Sequence, residues 1–489
     1  MRLLPFLAAL PLLVFIACSK APEAVPAVAP APPTPPPVVV GSPLSGPHPL
    51  KRPGANLVFV SFDALQAAHV GCYGHPRDTT PTLDALAKTG FRFANTYSVA
   101  SWTVPASMTW FTGVYPSEHR LVNKFALYKP PVEKVSTLTE QAPTLTTLAQ
   151  VMKANGYATG GFTGNAGVGG GFGFGLGFDE YYSEVGRFGG LDESVPRAVA
   201  WVRKHKEKPF FLFLHGYDVH GQRSPPGGFD FRYVEKEYDR KFTGSPQEQE
   251  VLREEGLATG AAKVRPTDVR FWRAIYDEKL RRADAQFAEF LAAFRAMGLM
   301  EKTVFVVTAD HGTELHEHGR FDHGFTLYDE LLRVPLIVSV PNTTGRVIPD
   351  RVSSIDVTPT LLDLIGAKVP DAVKKQLRGK SLLPALAGEP VTRPLFSETD
   401  YREYTYKRAV ITPDGWKLIY TLETQGRELF DLNTDPGETK NLAATDGKRA
   451  DALREQLFAH FAAIGHDLRA RRWELGLNPV YPSQGKPKR

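Results

Sequence analysis

Five ionisable residues follow segments that the sequence predicts to be buried strands: Asp63, His215, His220, Asp310 and His311. Their types are those of metal ligands and of acid–base catalysts. The segments are continuous apolar runs at 56–62, 210–214 and 303–308, which is typical of parallel strands covered on both faces. Because ligands of open α/β sheets bind beyond the carboxyl ends of the strands, we expect these side chains at one edge of a sheet. So many ionisable residues at strand ends indicate a site.

The stretch from Ser101 to Gly113 supplies a hydroxyl group that could serve the same site. Pro105 and the apolar residues after it, closed by Gly113, predict a helix with Thr103 at its N-cap. An anion or alkoxide at a helix N-terminus is favoured by a few tenths to ~1 kcal/mol, because unpaired N–H groups and the helix dipole face it. Taken alone, the stretch favours a capping role for Thr103. Beside the acidic and histidine residues, Thr103 becomes a candidate nucleophile.

The remaining patterns alternate between helices and strands, as in α/β proteins. Helices are predicted at 81–89, 144–155, 275–297 and 357–365, and further strands at 157–162 and 334–340. Residues 223–270 are polar and are predicted to form an irregular excursion with helical turns. The glycine-rich segment 167–177 lacks the Gly-Lys-Ser/Thr ending of a phosphate-binding P-loop, so an ordinary loop is predicted there.

The first 53 residues are predicted to lie outside the folded domain. Residues 1–18 have an apolar core too short to span a bilayer and predict a signal peptide of the lipoprotein type, in which Cys18 is lipidated. A plain signal peptide with a chance cysteine is the alternative. Residues 19–53 are rich in Pro and Ala and predict a tether. We therefore expect an exported protein, lipid-anchored to the outer membrane or held in the periplasm of a Gram-negative-type bacterium.

Composition limits the partners and the cross-links of the chain. The net charge of +5 on 489 residues is mild, and the sequence has no dense Lys/Arg block, so no nucleic-acid partner is implied. With Cys18 lipidated, Cys72 is the one remaining thiol and no intrachain disulfide is available. The length allows two or three average domains, or one large α/β domain with an appendage.

From about Asn56 to Leu442 the chain resembles the sulfatase family of the alkaline phosphatase superfamily. The resemblance rests on short blocks in the family's order, at 71–74 with 80–84, 112–116, 308–312 with 317–319, 327–337, 356–363, and 428–432 with 435–436 and 441–442. The most specific blocks are Thr308-Ala309-Asp310-His311-Gly312 and the segment 327–337.

The resemblance implies an α/β fold of the alkaline phosphatase type. Its central, mostly parallel sheet lies between helices, and a small antiparallel sheet with a helix follows at the C-terminus. On this basis residues 54–390 form the catalytic domain, 391–475 the C-terminal subdomain and 476–489 a flexible tail.

The segment where the family carries its nucleophile departs from the family pattern. The sulfatase signature is Cys or Ser, any residue, Pro, Ser or Ala, and Arg, and its first residue is oxidised to formylglycine. Residues 103–107 of this chain read Thr-Val-Pro-Ala-Ser. Threonine cannot supply the aldehyde, and Ser107 stands where the family has the supporting Arg. The resemblance therefore predicts no formylglycine here.

The resemblance also implies a divalent metal ion, held by Asp63, Thr103, Asp310 and His311. The family's opening Asp-Asp pair retains one carboxylate, because Ala64 follows Asp63, and its Asp-Asn pair has His311 in place of Asn. Calcium prefers six to eight oxygen ligands, so mixed oxygen and nitrogen ligands favour Zn²⁺ or Mn²⁺, with Ca²⁺ the alternative. A hydroxyl beside such an ion has a lowered pKa and can attack phosphorus or sulfur in line.

Four further side chains are assigned to the same site. His220 falls where the family has Asp-Pro-His, although Val219 replaces the Pro, and it is predicted to be a general acid towards the leaving oxygen. His323 is the other candidate, for a substrate oxygen or for a second metal ion. Asn165 and His215 are predicted to contact the substrate. The alternative for each is a structural role, as a packed histidine or as an asparagine in a turn.

These residues predict an exported, metal-dependent hydrolase in which Thr103 attacks a phosphate or sulfate ester of a small molecule, a glycan or a lipid. A phosphoester is favoured over a sulfate ester. The alternatives are an arylsulfatase-like sulfuric ester hydrolase, a phospho-group transferase that uses the same threonine, and a non-catalytic lipoprotein that kept the fold. Retention of Asp63, Asp310 and His311 argues against the last, because an idle site gains nothing from clustered charges.

Overall fold

The computed structural model describes residues 50–129, 132–183, 188–470 and 473. The predicted signal peptide with Cys18, residues 19–49 of the predicted tether and the predicted tail at 476–489 lie outside these residues, so export and lipidation stay predictions. Among the helices of the described residues, none combines the length and the apolar character needed to cross a membrane.

Strands and helices alternate along most of the chain. The strands are β1 Asn56–Phe62, β2 Phe91–Tyr97, β3 Phe125–Lys129, β4 Val132–Val135, β5 Ala158–Thr163, β6 Glu180–Ser183, β7 Phe210–Gly216, β8 Thr303–Ala309, β9 Glu314–Leu315, β10 Phe321–Asp322, β11 Arg333–Ser339, β12 Val347–Ser353, β13 Leu395–Thr399, β14 Lys407–Ile411, β15 Trp416–Thr421 and β16 Gly426–Asp431. The helices are α1 Pro81–Thr89, α2 Thr103–Thr112, α3 Pro116–His119, α4 Leu138–Gln141, α5 Leu148–Ala154, α6 Leu191–His205, α7 Pro246–Thr259, α8 Pro266–Ala296, α9 Asp329–Leu332, α10 Val357–Leu364, α11 Asp371–Gln376, α12 Leu383–Ala387 and α13 Gly447–Ala463.

The main sheet has eight strands in the order β12-β2-β11-β8-β1-β7-β5-β6. Its strands run parallel except β11, which is antiparallel to both β2 and β8. The central strands β1, β7 and β8 are buried along their whole length, which explains their continuous apolar sequences. The predicted mostly parallel α/β sheet is confirmed.

Helices cover both faces of this sheet through aromatic contacts. On one face Phe59 of β1 meets Trp110 of α2 edge-to-face, with ring centroids 5.1 Å apart. On the other face Phe62 meets Phe287 of the long helix α8, with centroids 5.9 Å apart. Aromatic pairs of this kind add about 0.5–1.5 kcal/mol each beyond burial of their area. The C-terminal half of α2 is thereby packed against the middle of β1.

A second sheet of four antiparallel strands, β13 to β16, follows the main sheet, and α13 packs on it. The buried ammonium of Lys417 on β15 links this sheet to α9. It pairs with Asp329 at the start of α9 and with Glu438, at 2.8 Å each. The predicted C-terminal antiparallel sheet with a helix is confirmed.

Three sequence predictions differ from the observed elements. The helix predicted from residue 144 begins at Leu148, because the hydroxyl of Thr147 accepts the N–H of Gln150 and caps it there. The predicted irregular excursion holds the fourteen-residue helix α7, whose N-cap Ser245 is followed by Pro at the first helical position. Helix α8 begins at Pro266 and not at 275, and strand β2 was not predicted.

Candidate active site

Three adjacent strands deliver the ionisable groups at the centre of the site. In the registers of β8, β1 and β7, Phe62 lies opposite Ala309 on one side and Gly216 on the other. Asp63 follows β1, Asp310 follows β8, and His215 is the penultimate residue of β7. Their ligand atoms lie within 4.8 Å of one another, and all three side chains are fully buried. These three side chains therefore lie together at one edge of the sheet, as their positions at strand ends predicted.

The hydroxyl of Thr103 points into this group and does not cap the helix. Trp102, in an extended conformation, occupies the N-cap, and Thr103 is the first helical residue without a capping hydrogen bond, so the predicted N-cap is wrong. Its Oγ1 donates to Asp63 Oδ2 at 3.1 Å and lies 3.2 Å from His311 Nε2. The predicted end of the helix at Gly113, with φ of +70°, is confirmed.

The orientation of His311 follows from its neighbour along the chain. His311 Nδ1 lies 2.7 Å from the carbonyl oxygen of Gly312, which can only accept. The proton therefore sits on Nδ1, and the Nε2 lone pair faces Thr103. Burial lowers the pKa of His311, although Asp310 opposes the effect, so the ring is favoured in its neutral form.

The buried groups of the site carry atoms without partners among the described residues. These atoms are Asp63 Oδ1, Asp310 Oδ2 and both ring nitrogens of His215. Burial, and then the nearby Asp310, raise the pKa of Asp63 well above its usual value, and burial lowers the pKa of His215 to about 4. Leaving one buried polar group unpaired costs about 1–3 kcal/mol. A divalent cation would pair with these atoms, so the donor set fits a metal ion.

The spacing of the donors agrees with this interpretation. Two ligand atoms that each lie about 2.1 Å from one ion are at most about 4.2 Å apart. Thr103 Oγ1 and Asp63 Oδ2 are 3.1 Å apart, and His311 Nε2 and Asp310 Oδ2 are 3.5 Å apart. These four residues are the ligands predicted from the sequence.

A second cluster of possible ligands has a different chemistry. Asp277 Oδ1 lies 2.5 Å from His69 Nδ1, and its Oδ2 lies 3.1 Å from His75 Nε2 and 2.7 Å from a guanidinium nitrogen of Arg77. The two imidazoles hold the pKa of Asp277 well below its usual value despite burial. Both carboxylate oxygens are already paired, so this cluster is an ion-pair network that fixes the segment before α1 on α8.

Both predicted catalytic histidines lie at the site. His220 Nε2 is 3.8 Å from Asp63 Oδ1, and its ring stacks on Phe188 with centroids 4.5 Å apart. The ring of His323 lies 4.5 Å from that of His311 and 5.0 Å from that of His220. Thr103, His220 and His323 keep 5%, 4% and 8% of their surface exposed, whereas Asp63 and Asp310 keep none. A substrate therefore reaches the threonine and these two histidines first.

The backbone amide of Gln222 sets the tautomer of His220. This N–H donates to His220 Nδ1 at 3.3 Å, which leaves the ring proton on Nε2. Burial, and then the nearby His323, lower the pKa of His220 well below its usual value. His220 is therefore suited to donating a hydrogen bond from a neutral ring.

Asp322 is a site residue that the sequence reasoning missed. Its Oδ1 forms an ion pair with His323 Nδ1, and its Oδ2 accepts from the side chains of Gln222 at 3.0 Å and Arg253 at 3.3 Å. It is buried and adopts a φ of +81°, a conformation that costs a non-glycine residue about 1–3 kcal/mol. An acid directly before His323 was the available sequence signal. The contact of Nδ1 with Asp322 leaves Nε2 as the ring nitrogen of His323 that a substrate could meet.

The glycine-rich loop contacts the site through its backbone. Tyr217 donates its hydroxyl to the carbonyl of Asn165 at 2.9 Å and accepts the N–H groups of Gly167 and Val168. A Cβ on Gly167 would lie 2.8 Å from Cβ and Cγ2 of Thr103, so glycine is required there. Gly167 was missed as a site residue. A substrate contact by the side chain of Asn165 stays a prediction.

Comparisons with known proteins agree with the architecture. The sequence profile named Sulfatase matches residues 55–367, and the profile named N-sulphoglucosamine sulphohydrolase, C-terminal, matches residues 316–464. The chain is 26% identical over 437 residues to the Delta 4,5-hexuronate-2-O-sulfatase of Bacteroides thetaiotaomicron, which covers 82% of this chain and 86% of that protein.

Two solved structures share the fold. A 2-O GAG sulfatase superposes with a TM-score of 0.70 at 22% identity, covering 87% of this chain and 96% of that one. The phosphonate monoester hydrolase of Agrobacterium radiobacter superposes with a TM-score of 0.63 at 18% identity, covering 84% of this chain and 96% of that one. The family profile spans well over half of the sequence, and the chain belongs to the sulfatase family of hydrolases.

Proposed function

We propose that this chain is an exported, metal-dependent hydrolase of phosphate esters in which Thr103 is the nucleophile. The observation that carries the proposal is the position of Thr103 Oγ1, 3.1 Å from Asp63 Oδ2 and 3.2 Å from His311 Nε2 at the start of α2. A hydroxyl between a carboxylate and an imidazole, at the exposed edge of a buried acidic site, is placed to lose its proton and attack.

The residue types around the nucleophile support a direct attack by the hydroxyl. A threonine Cβ carries a methyl group, so its oxidation would give a ketone and not the aldehyde of formylglycine. Ser107, which stands where the resemblance expects an arginine, is buried and its hydroxyl has no partner among the described residues. We therefore propose that the enzyme uses no formylglycine.

Asp63, Asp310, His311 and Thr103 would hold the metal ion, with Zn²⁺ or Mn²⁺ favoured and Ca²⁺ the alternative. When bound, a divalent cation supplies stabilisation of negative charge on the ester oxygens and lowers the pKa of a hydroxyl beside it. The pKa of Asp63, raised by burial and by Asp310, agrees with a site that lacks positive charge without the ion.

The residues of the chain account for each bond and each proton. Thr103 Oγ1 forms a bond to phosphorus as the bond from phosphorus to the leaving oxygen breaks. The hydroxyl proton passes to Asp63 Oδ2, which already accepts it in a hydrogen bond. His323, paired with Asp322 through Nδ1, donates the proton of Nε2 to the leaving oxygen, and His220 donates a hydrogen bond to a phosphoryl oxygen. Water then attacks phosphorus and gives one proton to His323. The bond from phosphorus to Thr103 Oγ1 breaks as Asp63 Oδ2 returns its proton to that oxygen, which releases phosphate and restores the hydroxyl.

Sulfate-ester hydrolysis is the second candidate, favoured by the family. The relative described above is by name a sulfatase of an unsaturated hexuronate, which makes a sulfated glycan or small molecule a reasonable substrate class. A phospho-group transferase would use the same threonine but would need an acceptor in place of water.

The purified full chain, assayed on an aryl sulfate, an aryl phosphate and a bis-aryl phosphate with one metal ion at a time, separates these candidates. We expect turnover of a phosphate ester that is lost in Thr103→Ala and partly kept in Thr103→Ser. Thr112→Ala is the matched control, because this buried hydroxyl of the same helix, among the residues that the structure describes, bonds only to the carbonyl of Met108. Turnover of the sulfate alone, or full turnover by Thr103→Ala, would contradict the proposal.

Export and lipidation need a separate experiment. Metabolic labelling with a fatty acid should mark the wild-type chain and leave Cys18→Ala unlabelled, and cell fractionation should place the wild type with membranes. Labelling of the Cys18→Ala variant, or recovery of the unlabelled wild type from the soluble fraction, would contradict the anchored location.

A further inference from the structure

We propose that His215 is a ligand of the divalent cation and not a contact for the substrate. In this role its ring replaces the second carboxylate that the family carries next to Asp63, at the position of Ala64. The inference rests on the metal dependence stated under the proposed function. It extends the ligand set to Asp63, Asp310, His311, Thr103 and His215.

In the part of the chain that the structure describes, both ring nitrogens of His215 lack the hydrogen-bond partners that a packed histidine needs. His215 is fully buried, and neither of its nitrogens has a hydrogen-bond partner among the described residues. A neutral imidazole always has one N–H to donate and one lone pair to fill, so a histidine packed only for its volume would leave two buried polar atoms unpaired. Buried polar atoms without partners are rare, and each one needs an explanation. A cation at the lone pair supplies it.

The distance between the rings and carboxylates of the site also fits a shared ion. His215 Nε2 lies 3.7 Å from Asp63 Oδ2, which is too far for a hydrogen bond and short enough for two ligands of one ion. The ligand atoms of His215, Asp63 and Asp310 lie within 4.8 Å of one another as a group, up to about 0.6 Å wider than one ion with bonds of about 2.1 Å spans, so binding would draw them slightly together. A carboxylate and an imidazole held apart in this way, both buried, are arranged around a common centre and not around each other.

The ring of His215 is closed to solvent, unlike the side chains that a substrate would meet. Thr103, His220 and His323 retain some exposed surface, whereas His215 retains none. Its ring meets Tyr217 edge-to-face, with centroids 4.7 Å apart, and Tyr217 in turn holds the loop that packs on Thr103. Because the ring has no exposed surface, an ion among the buried carboxylates is better placed to meet it than a substrate oxygen that approaches Thr103 from solvent.

His215 supplies a ligand where Ala64 has none. Ala64, at a φ of +56°, donates its N–H to Asp310 Oδ1 and brings no ligand atom of its own. His215 enters from β7, the neighbour of β1 on the side opposite Asp310. Two carboxylates and two neutral imidazoles balance the charge of one divalent ion. Exchanging a carboxylate for an imidazole shifts preference from Ca²⁺ towards Zn²⁺ or Mn²⁺.

The test measures metal binding without turnover. The metal-free full chain is titrated calorimetrically with Zn²⁺, Mn²⁺ and Ca²⁺, and the visible spectrum of the Co²⁺ form reports the nitrogen and oxygen ligands. We expect His215→Ala to weaken Zn²⁺ binding by about 100-fold or more, since losing an outer partner of a ligand already costs 10–100-fold, and to change the Co²⁺ spectrum. His460→Ala is the matched control, because this partly buried ring also has an unpaired nitrogen and a pKa lowered to about 4, but lies on α13.

A second variant covers the case in which His215→Ala folds poorly. Adding Ala64→Asp to His215→Ala restores a carboxylate next to Asp63, and we expect binding to return with a preference moved towards Ca²⁺. Absence of that rescue in a folded double variant contradicts the replacement. Unchanged Zn²⁺ affinity and an unchanged Co²⁺ spectrum in His215→Ala overturn the inference and leave the proposed function standing. A wild-type chain that binds none of the ions removes metal dependence itself.

Discussion

We expect Asp63→Asn to stabilise the folded protein when no metal is bound and to destabilise it, relative to wild type, when metal is bound. The Asp63 carboxylate is fully buried, one of its oxygens has no partner among the described residues, and Asp310 lies beside it. The neutral amide removes a buried negative charge beside Asp310, so it should raise the free energy of unfolding of the metal-free protein by about 1–3 kcal/mol at pH 7.

With metal bound, the wild type should have the higher free energy of unfolding of the two proteins. A ligand at 100 times its Kd stabilises the folded state by about 2.7 kcal/mol, and Asp63→Asn forfeits this gain because it removes a ligand. The assay is urea denaturation of both proteins in a chelator and in saturating Zn²⁺ or Mn²⁺. Asp284→Asn is the matched control: this buried carboxylate also has a raised pKa, but it accepts the N–H groups of Thr82 and Leu83 at 2.9 Å each. It should destabilise the protein equally in both conditions.

The pH dependence of the metal-free protein follows from the same carboxylate. The pKa of Asp63 is raised in the folded state, so the folded protein binds the proton more tightly than the unfolded chain does. Its stabilising contribution is therefore complete below the unfolded pKa of about 4 and is lost as the pH rises through the folded pKa. In Asp63→Asn this loss of stability with rising pH should be absent. An Asp63→Asn variant that is less stable than wild type without metal, at every pH, would refute the reasoning.

Three further substitutions test other contacts. Gly167→Ala should lower kcat, because the added Cβ would lie 2.8 Å from both Cβ and Cγ2 of Thr103, and should cost less in a Thr103→Ser background, which keeps the first contact but lacks the methyl group; equal losses would contradict a part for the methyl group in the clash. Asp322→Asn, which keeps the shape but loses the charge beside His323, should lower kcat with little change in the free energy of unfolding and should alter the nitrogen-15 shifts of that ring in NMR spectra; unchanged shifts would contradict the pairing. Lys417→Met should lower the free energy of unfolding by about 3–5 kcal/mol in urea denaturation, because the buried Glu438 and the partly buried Asp329 lose their partner; a loss below about 1 kcal/mol would contradict it.

Much of the fold was readable from strong local patterns. The apolar runs at 56–62 and 303–308 predicted two central strands, because strands buried on both faces have no polar alternation. Helix α1 was predicted with its observed bounds from Pro81 to Thr89. Strand β2 was missed because Arg92 and Asn95 interrupt its apolar character, and α7 because its sequence carries few apolar residues.

The site was predictable as a set of residues and not as a set of contacts. Strand ends brought Asp63, Asp310 and His215 to one edge, since adjacent parallel strands end together. The sequence could not distinguish an N-cap from the first helical residue at Thr103, because that choice depends on the extended backbone of Trp102. Asp322 was missed because two of its partners, Gln222 and Arg253, lie far from it in the chain, and its adjacency to His323 alone does not indicate a contact.

The most direct test of the account is the identity of the covalent intermediate. The metal-loaded wild-type chain is quenched with acid during turnover of an aryl phosphate, digested, and examined by mass spectrometry for a phosphorylated peptide. We predict phosphothreonine at Thr103, no such peptide from Thr103→Ala, and a phosphoserine at the same position from Thr103→Ser. A phosphoryl group on another residue, or turnover by Thr103→Ala at the wild-type rate, would contradict the assignment of Thr103 as the nucleophile.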